Sequence, residues 1–202
     1  MTKTKMMGIC AAALCLMLLT AGPVPAQAAT AMEMLRTEVT QVIDVLRNKS
    51  LKEDVKREKL RVIYNRMFNQ EELSRWSLGR HWNALTEAQR KEFSPLFQQV
   101  LENTYADRIL AYDNEKVLFD RELPIAQRRV EVQTRVVAKS REIPVNYRLL
   151  QEKDGRWRVY DVVVENVSLV MNYRSQFNEI LAKNTPADLI DILRKRAKEQ
   201  KS

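Results

Sequence analysis

The sequence predicts an α+β domain in which helices pack on one face of a curved antiparallel sheet of about four strands. Apolar residues recur at helical spacing as far as Asn114, then alternate with polar residues, and return to helical spacing after Glu165. Helices, then strands, then helices are typical of this class. The Asp154-Gly155 pair between two strand patterns indicates a hairpin, so we expect an antiparallel meander.

The first 28 residues predict a secretory signal peptide that is cleaved after Ala28. Lys3 and Lys5 precede an apolar run over residues 6–19, and prolines and small residues follow that run. The alternative is a membrane anchor. The run is too short to span a bilayer comfortably, which argues against that alternative.

Residues 29–202 are then predicted to be a single domain without disulfides, since both cysteines lie in the signal peptide. A domain of roughly 170 residues buries about 70% of the surface that its unfolded chain exposes, so an apolar core suffices. Removing Lys3 and Lys5 from 34 basic residues leaves 32 against 26 acidic ones, a formal charge of +6. This excess favours anionic lipid surfaces or acidic proteins as partners, although it also fits an ordinary solvated surface.

Several kinds of site are excluded by what residues 29–202 lack. Their two glycines, Gly79 and Gly155, are far apart, whereas nucleotide-binding loops need several glycines within a few residues. With His81 as the single histidine and no cysteine, a structural zinc site or a Cys-His nucleophile pair is out of reach. We therefore expect no metal and no cofactor.

Three helices are predicted before the longest one. The first covers residues 31–46, and the second covers 52–67 with Ser50 as its cap. The third is short, covers 70–78, and is ended by Gly79 in the left-handed conformation that glycine adopts at little cost.

The longest helix is predicted over residues 87–111. Thr86 and Gln89 form a capping box at its start. Pro95 should bend the helix or delay the start of its regular part, because proline lacks an amide hydrogen and crowds the preceding turn. The helix carries a broad stripe of apolar and aromatic residues.

The remaining elements are four strands and two helices. The strands are predicted over residues 117–123, where Pro124 ends the strand, and over 130–136, 143–149 and 156–165. The closing helices are predicted over 168–183 and 186–197.

Two blocks of this sequence resemble the MlaC family, also known as toluene-tolerance (Ttg2) auxiliary proteins. A G-x-W-x-V-Y-D-V strand leads into an S-L-V-x-N-Y-R-x-Q-F helix between Gly155 and Phe177, and a second block runs from Leu78 to Phe97. The resemblance covers essentially the whole chain after the signal peptide. It implies an NTF2-like cone with an apolar cavity and identifies residues 29–202 as a phospholipid-binding domain.

The resemblance also implies a function without catalysis. Members of the family are phospholipid-binding shuttles of the periplasm, which move diacyl phospholipid between two membrane complexes and maintain outer-membrane lipid asymmetry. The implied partners are an outer-membrane lipoprotein-porin complex and an inner-membrane transporter of the ATP-binding-cassette (ABC) type with an MCE-domain subunit. Docking is expected to be transient, and nucleic acid is not an expected partner.

Apolar residues on the long helix, the inward strand face and the helix after the sheet are the candidates for lining the cavity. The same stripes are typical of a plain packed core, so that alternative stays open. The candidates are Trp82, Phe93, Phe97, Val100, Leu101, Tyr105, Ile109, Val132, Val136, Val145, Tyr147, Val164, Val170, Tyr173 and Phe177.

Arg80, Asn172 and Arg174 are candidates for contacting a lipid headgroup, because they lie in the family-like blocks and arginine binds phosphate through a planar fork of donors. Alternatively, Arg174 pairs with Asp161 or another acid and fixes a helix on the sheet.

Two other functions are compatible with the sequence. One is a small-molecule enzyme with an NTF2-like cavity, in which Asp161 and a tyrosine act as base and acid. A single acid without a convergent partner more often has a structural role, in an ion pair or in fixing a turn. The other is a periplasmic adaptor or chaperone that binds no ligand of its own.

Overall fold

A computed structural model describes residues 29–112, 114–138 and 141–199; the predicted signal peptide over 1–28 lies outside them. The helices are α1 Ala31–Arg47, α2 Glu53–Met67, α3 Gln70–Leu78, α4 Glu87–Leu110, α5 Leu169–Leu181 and α6 Pro186–Glu199. The strands are β1 Lys116–Ala126, β2 Arg129–Val137, β3 Glu142–Gln151, β4 Trp157–Val164 and β5 Val167–Ser168. Within the described ranges, no helix has the length and apolarity that crossing a bilayer requires.

Two capping boxes fix where α1 and α4 begin. The Thr86 hydroxyl accepts from the Gln89 amide at 3.2 Å, and the Gln89 side chain accepts from the Thr86 amide at 2.9 Å. Thr30 and Glu33 make the same pair of bonds at the start of α1. Each box satisfies two amide hydrogens that lack a partner in the first turn. The capping box predicted for α4 is therefore confirmed.

The cap predicted for α2 is wrong. Lys52 precedes the helix and makes no side-chain capping bond. Ser50 instead donates from its amide and hydroxyl to the Asn48 side-chain oxygen, at 3.0 and 2.6 Å. An asparagine readily binds the backbone two residues on, so Ser50 is used in that turn and not at the helix.

Gly79 ends α3, as predicted, but not in the left-handed helical conformation. Its φ is 55° and its ψ is −124°, and a short 3-10 helix over Gly79–Ala84 follows at once. A Cβ atom at this position would lie 3.0 Å from Nε of Arg174. Both the positive φ and the close approach of Arg174 therefore require glycine here.

The two predictions that rested on proline have different outcomes. α4 is helical from Glu87 although it contains Pro95, so the delayed start is wrong, and the bend that was its alternative stays a prediction. Strand β1 continues through Pro124 to Ala126, so the strand end predicted at Pro124 is wrong. β1 is an edge strand, and the missing amide hydrogen of a proline is tolerated at a sheet edge.

The sheet is an antiparallel meander in the order β1-β2-β3-β4-β5. Val132 lies opposite Tyr147, and Tyr147 lies opposite Val162, so these residues share what we call the inner face. The two-residue strand β5 was not predicted. It follows a tight turn at Glu165 and Asn166, both with positive φ.

The buried apolar residues form two clusters. The sheet cluster packs α1 on the inner face and includes Leu35, Val132 and Val159. The helical cluster is built from α3, α4, α5, α6 and the 3-10 helix. Phe68 packs against both clusters, so it lies at their junction.

A buried carboxylate, that of Asp161, joins β4 to α5. A register shift in β4 places Asp161 opposite Arg148 on β3. The carboxylate is 2% exposed and accepts from Nη1 of Arg148 at 3.1 Å, from the Ser168 hydroxyl at 2.7 Å and from the Val170 amide at 3.0 Å. These contacts confirm the structural, turn-fixing role of Asp161. The alternative pair with Arg174 is wrong, because the guanidinium at Asp161 belongs to Arg148.

Replacing Asp161 should therefore be costly. We expect Asp161→Ala to lower the free energy of unfolding by about 3 kcal/mol, the lower end of the range for a broken buried pair, because the Arg148 side chain is 34% exposed. Urea unfolding followed by circular dichroism measures this change. Asp120→Ala is the matched control, because its exposed pair with Arg135 should contribute far less. Equal effects of the two substitutions would contradict the role given to Asp161.

Candidate functional site

The burial of apolar residues on the inner face of the sheet decreases along the strands. Beneath α1, Val130, Val132, Leu149 and Val159 are fully buried. Farther along the strands, other apolar residues are only half-buried. They include three predicted lining residues, Val136, Val145 and Tyr147.

Two further observations describe this half-covered part of the sheet. Val164, which lies opposite Val145, is 42% exposed. Tyr147 is half-buried as a residue, but desolvation by burial raises its pKa to about 12, so its phenol end is shielded from water and the incomplete cover is at Val145 and Val164. This end of the inner face is thus an apolar surface that the helices cover incompletely.

The predicted lining residues of the helical layer lie in a packed core. The Phe97 ring lies 5.6 Å from Phe93, 4.9 Å from Tyr173 and 5.2 Å from Phe177, measured between centroids. Edge-to-face contacts at these distances are typical of close aromatic packing. Trp82, Val100, Leu101 and Val170 belong to the same buried cluster. The role of these eight residues as a cavity wall stays a prediction.

The last turns of α4 leave this core. Tyr105 is half-buried against the helical cluster, and Ile109 is 44% exposed. Both at this end and at the middle of the helix, α4 meets α2 through polar side chains. Arg57 binds Asp107 at 2.6 Å, and the Gln98 amide donates to the Asn65 side chain at 2.7 Å.

A polar cleft opens beside this contact. It has a volume of about 520 Å³ and is formed where α2, α3, α4 and β4 approach one another. Phe68 is its apolar member; the polar lining residues are Asn65, Asn69, Gln70, Gln98, Glu152 and Arg158. We call this cavity the amide cleft, because four of these side chains are carboxamides.

A second cavity, of about 420 Å³, lies at the other side of Arg158. Its lining includes Met34, Glu38, Arg66 and Trp157. Neither of these two cavities is the apolar one that the sequence analysis predicts, which stays a prediction.

The three predicted headgroup residues have different environments. Arg174 donates to the Trp76 carbonyl, at 2.7 Å from its Nε, and its guanidinium lies 5.8 Å from the Trp76 ring. This arginine is therefore used in holding α5 on α3. Arg80 is exposed and donates to His81 at 3.3 Å, and Asn172 is exposed.

Both oxygens of Asp161 receive hydrogen bonds that join β3, β4, β5 and α5, so this carboxylate is used within the fold. In the part of the chain that the structure describes, no group of three or more His, Cys, Asp or Glu side chains is placed to hold a metal ion.

Sequence reasoning missed the amide cleft. Asn65, Asn69 and Gln70 lie close together in the sequence, but Gln98 and Glu152 come from distant segments. The local concentration of amides at the end of α2 was the available signal. Polar residues between two helices are also typical of an ordinary loop, so that signal is not specific.

The fold and the half-covered sheet define a class: α+β proteins whose helices lie on an antiparallel sheet with a partly exposed apolar inner face. The family model described as MlaC protein matches residues 36–195. The chain therefore belongs to the MlaC family.

Two relatives agree with this assignment. The chain is 24% identical over 129 residues to the intermembrane phospholipid transport system binding protein MlaC of Haemophilus influenzae, a match that covers 60% of this chain and 59% of that protein. It thus spans less than two thirds of that relative. A phospholipid-binding protein of Ralstonia solanacearum, solved in complex with a phospholipid, is 20% identical and superposes with a TM-score of 0.78. That match covers 86% of this chain and 100% of the Ralstonia chain, and shows the shared fold.

The packing of Phe97 predicts a large loss of stability on truncation. Phe97 is 1% exposed, so Phe97→Ala should lower the free energy of unfolding by about 3–5 kcal/mol through lost contacts and a new cavity. Ile109→Ala, at an exposed position on the same helix, should change it by about 0.5 kcal/mol. Urea denaturation measures both. A loss below about 1 kcal/mol at Phe97, with bound ligand reduced, would show instead that this ring lines a ligand cavity.

Proposed function

We propose that this protein is a periplasmic phospholipid-binding shuttle and not an enzyme. The observation that carries the proposal is its membership of the MlaC family over residues 36–195. The incompletely covered apolar inner face supports it, because an apolar ligand would complete the burial of that surface.

The physical problem for such a protein is the hydrophobicity of its cargo. Two acyl chains expose about thirty methylenes, and at roughly 0.8 kcal/mol each their transfer to water costs about 24 kcal/mol. A carrier that offers an apolar surface in place of the bilayer makes transfer nearly isoenergetic. It then needs no catalytic residue, only a surface that accepts the chains and releases them.

The half-covered end of the inner face is where we place the acyl chains. We propose Val136, Val145 and Tyr147 as the strand side of this site, and Tyr105 and Ile109 at the end of α4 as its helix side. A chain lying there would shield apolar atoms that are half-exposed in the protein alone. The contact between α2 and α4 is polar, so it can separate with little loss of apolar packing.

The proposed partners are membrane complexes at the two sides of the periplasm. We propose that the shuttle moves phospholipid between an outer-membrane lipoprotein-porin complex and an inner-membrane MCE-domain ABC transporter, and so maintains outer-membrane lipid asymmetry. The name of the Haemophilus relative, an intermembrane phospholipid transport system binding protein, supports this role. The predicted signal peptide over residues 1–28 supports export to that compartment.

A charge on the inner face should abolish lipid binding. We expect wild-type protein, purified without detergent, to carry phospholipid at a fixed stoichiometry in native mass spectrometry. Val145→Glu should reduce the bound phospholipid at least about tenfold, because it places a carboxylate against the acyl chains.

Val137→Glu is the matched control, since Val137 is a half-buried strand valine on the opposite face, beside Glu142. It should retain lipid. Wild-type protein without extractable phospholipid, before and after incubation with vesicles, would refute the shuttle and favour an adaptor without ligand. Equal amounts of bound lipid in the two variants would show that the acyl chains do not lie on the inner face.

A further inference from the structure

We infer that the amide cleft holds the headgroup of the bound phospholipid and favours a zwitterionic aminoalkyl phosphate over an anionic glycerol headgroup. The inference rests on the proposed function and specifies the ligand class of that site. It also differs from the sequence prediction, which placed the headgroup at Arg80, Asn172 and Arg174.

The position of the cleft suits a headgroup. Phe68 lines the cleft and also packs against both apolar clusters, so the cleft lies over their junction. The Phe68 ring stacks on Tyr64 with centroids 4.4 Å apart. A lipid with its polar end in the cleft could pass its chains by these two rings toward the inner face of the sheet. The cleft is wide open to solvent, as a site for a polar headgroup can be.

The cleft offers hydrogen-bonding groups of both kinds that are not used within the fold. Gln98 uses its amide nitrogen, on Asn65 at 2.7 Å and on Glu102 at 2.6 Å. The side-chain oxygens of Gln98 and Gln70 accept no hydrogen bond from the described residues. The side-chain nitrogen of Asn65 donates no hydrogen bond to the described residues. Free oxygens suit an ammonium group, and free amide hydrogens suit a phosphate oxygen.

A buried hydroxyl next to the cleft also lacks a partner. The Tyr64 hydroxyl is buried and makes no hydrogen bond within the described residues. Burial, and then the nearby Glu102 carboxylate, raise the pKa of Tyr64, so the phenol keeps its proton. An unpaired buried hydroxyl is costly in a finished core, and a polar ligand atom would reduce that cost.

The charges of the cleft argue against an anionic headgroup. Arg158 lies 3.6 Å from Glu152 and donates to the carbonyls of Asn65 and Arg66, so its donors are largely used. Arg156 lies 3.8 Å from Glu152 but is bound to Asp154 at 2.6 Å.

Glu152 pairs with Arg158 and Arg156 only at 3.6 and 3.8 Å, beyond hydrogen-bond distance, so its carboxylate can still accept a hydrogen bond from a cation. Glu102 does not line the cleft but accepts from the Gln98 amide at 2.6 Å and adds a negative charge beside it. A headgroup with an ammonium and a phosphate complements these groups, whereas a glycerol phosphate headgroup supplies the phosphate but no cation.

The experiment loads the protein from vesicles of phosphatidylethanolamine and phosphatidylglycerol in equal amounts, with identical acyl chains. Native mass spectrometry then measures the ratio of the two bound lipids. We expect wild-type protein to favour phosphatidylethanolamine. Gln98→Met should reduce this preference about threefold to tenfold, the effect of losing one or two hydrogen bonds.

Gln99→Met is the matched control, because Gln99 is the next residue of α4, is half-buried, and does not line the cleft. It should leave the preference unchanged. Glu152→Gln is a second test that keeps an acceptor for the Asn69 amide. It removes the charge that would bind the ammonium, and it should lower the preference at least about fivefold.

The outcomes separate this inference from the proposed function. Uptake of both lipids without preference, unchanged in Gln98→Met and Glu152→Gln, would overturn the headgroup site while the shuttle stands. No uptake of either lipid would refute the shuttle itself. Calorimetric titration with glycerophosphoethanolamine tests whether the cleft binds a free phosphodiester instead of a lipid. If the wild-type protein binds this probe, and Gln98→Met abolishes that binding without changing lipid selectivity, the lipid assignment is overturned.

Discussion

The fold depends on one buried carboxylate that receives hydrogen bonds from three elements. Asp161 projects from β4, and its oxygens accept from Arg148 on β3, from Ser168 on β5 and from the first turn of α5 at Val170. Because an ionised group is stable in a core only when its lone pairs are satisfied, these partners are constrained together. The start of α5 is thereby fixed on the sheet. Since α5 carries Tyr173 and Phe177 into the helical cluster, the position of that cluster relative to the sheet follows from it.

This arrangement gives the molecule two apolar clusters with different properties. The helical cluster is filled by aromatic rings at contact distance and is typical of a rigid core. The sheet cluster is fully buried only beneath α1, and the strands continue beyond it with apolar residues that are half-exposed. A protein that must bind and release an apolar ligand needs both a rigid core and an incompletely covered apolar surface. The helical cluster keeps the fold stable when no ligand is bound, and the half-exposed end of the sheet is covered only when the ligand is present. The amide cleft lies where the two parts meet, at Phe68.

The helices and strands were predictable from local patterns because each begins or ends at a residue with a local effect. The Thr86–Gln89 capping box and the Asp154-Gly155 turn are examples. Tertiary context decided the exceptions: Pro124 stays in its strand because that strand is at the edge of the sheet. The site was less predictable. Periodicity marks Phe97 and Val145 alike as apolar and inward, but whether a ring fills a core or lines a surface depends on its neighbours in space. The polar residues Gln98 and Glu152 meet only in the folded chain.

The free energies of acyl-chain burial and of headgroup hydrogen bonding determine how such a carrier would select its cargo. Acyl chains contribute roughly 0.8 kcal/mol for each buried methylene, so nearly all of the affinity comes from a part that every phospholipid shares. A few hydrogen bonds from carboxamides contribute about 1 kcal/mol each. A headgroup held in the cleft would therefore be selected by about one order of magnitude, without the cleft deciding whether a lipid binds. Because Arg158 donates to two backbone carbonyls, the site lacks the strong phosphate clamp that would slow release. Weak selection at the headgroup and strong, unselective burial of the chains are compatible with handing phospholipid on to a second membrane, since the headgroup contacts add little to the barrier for release.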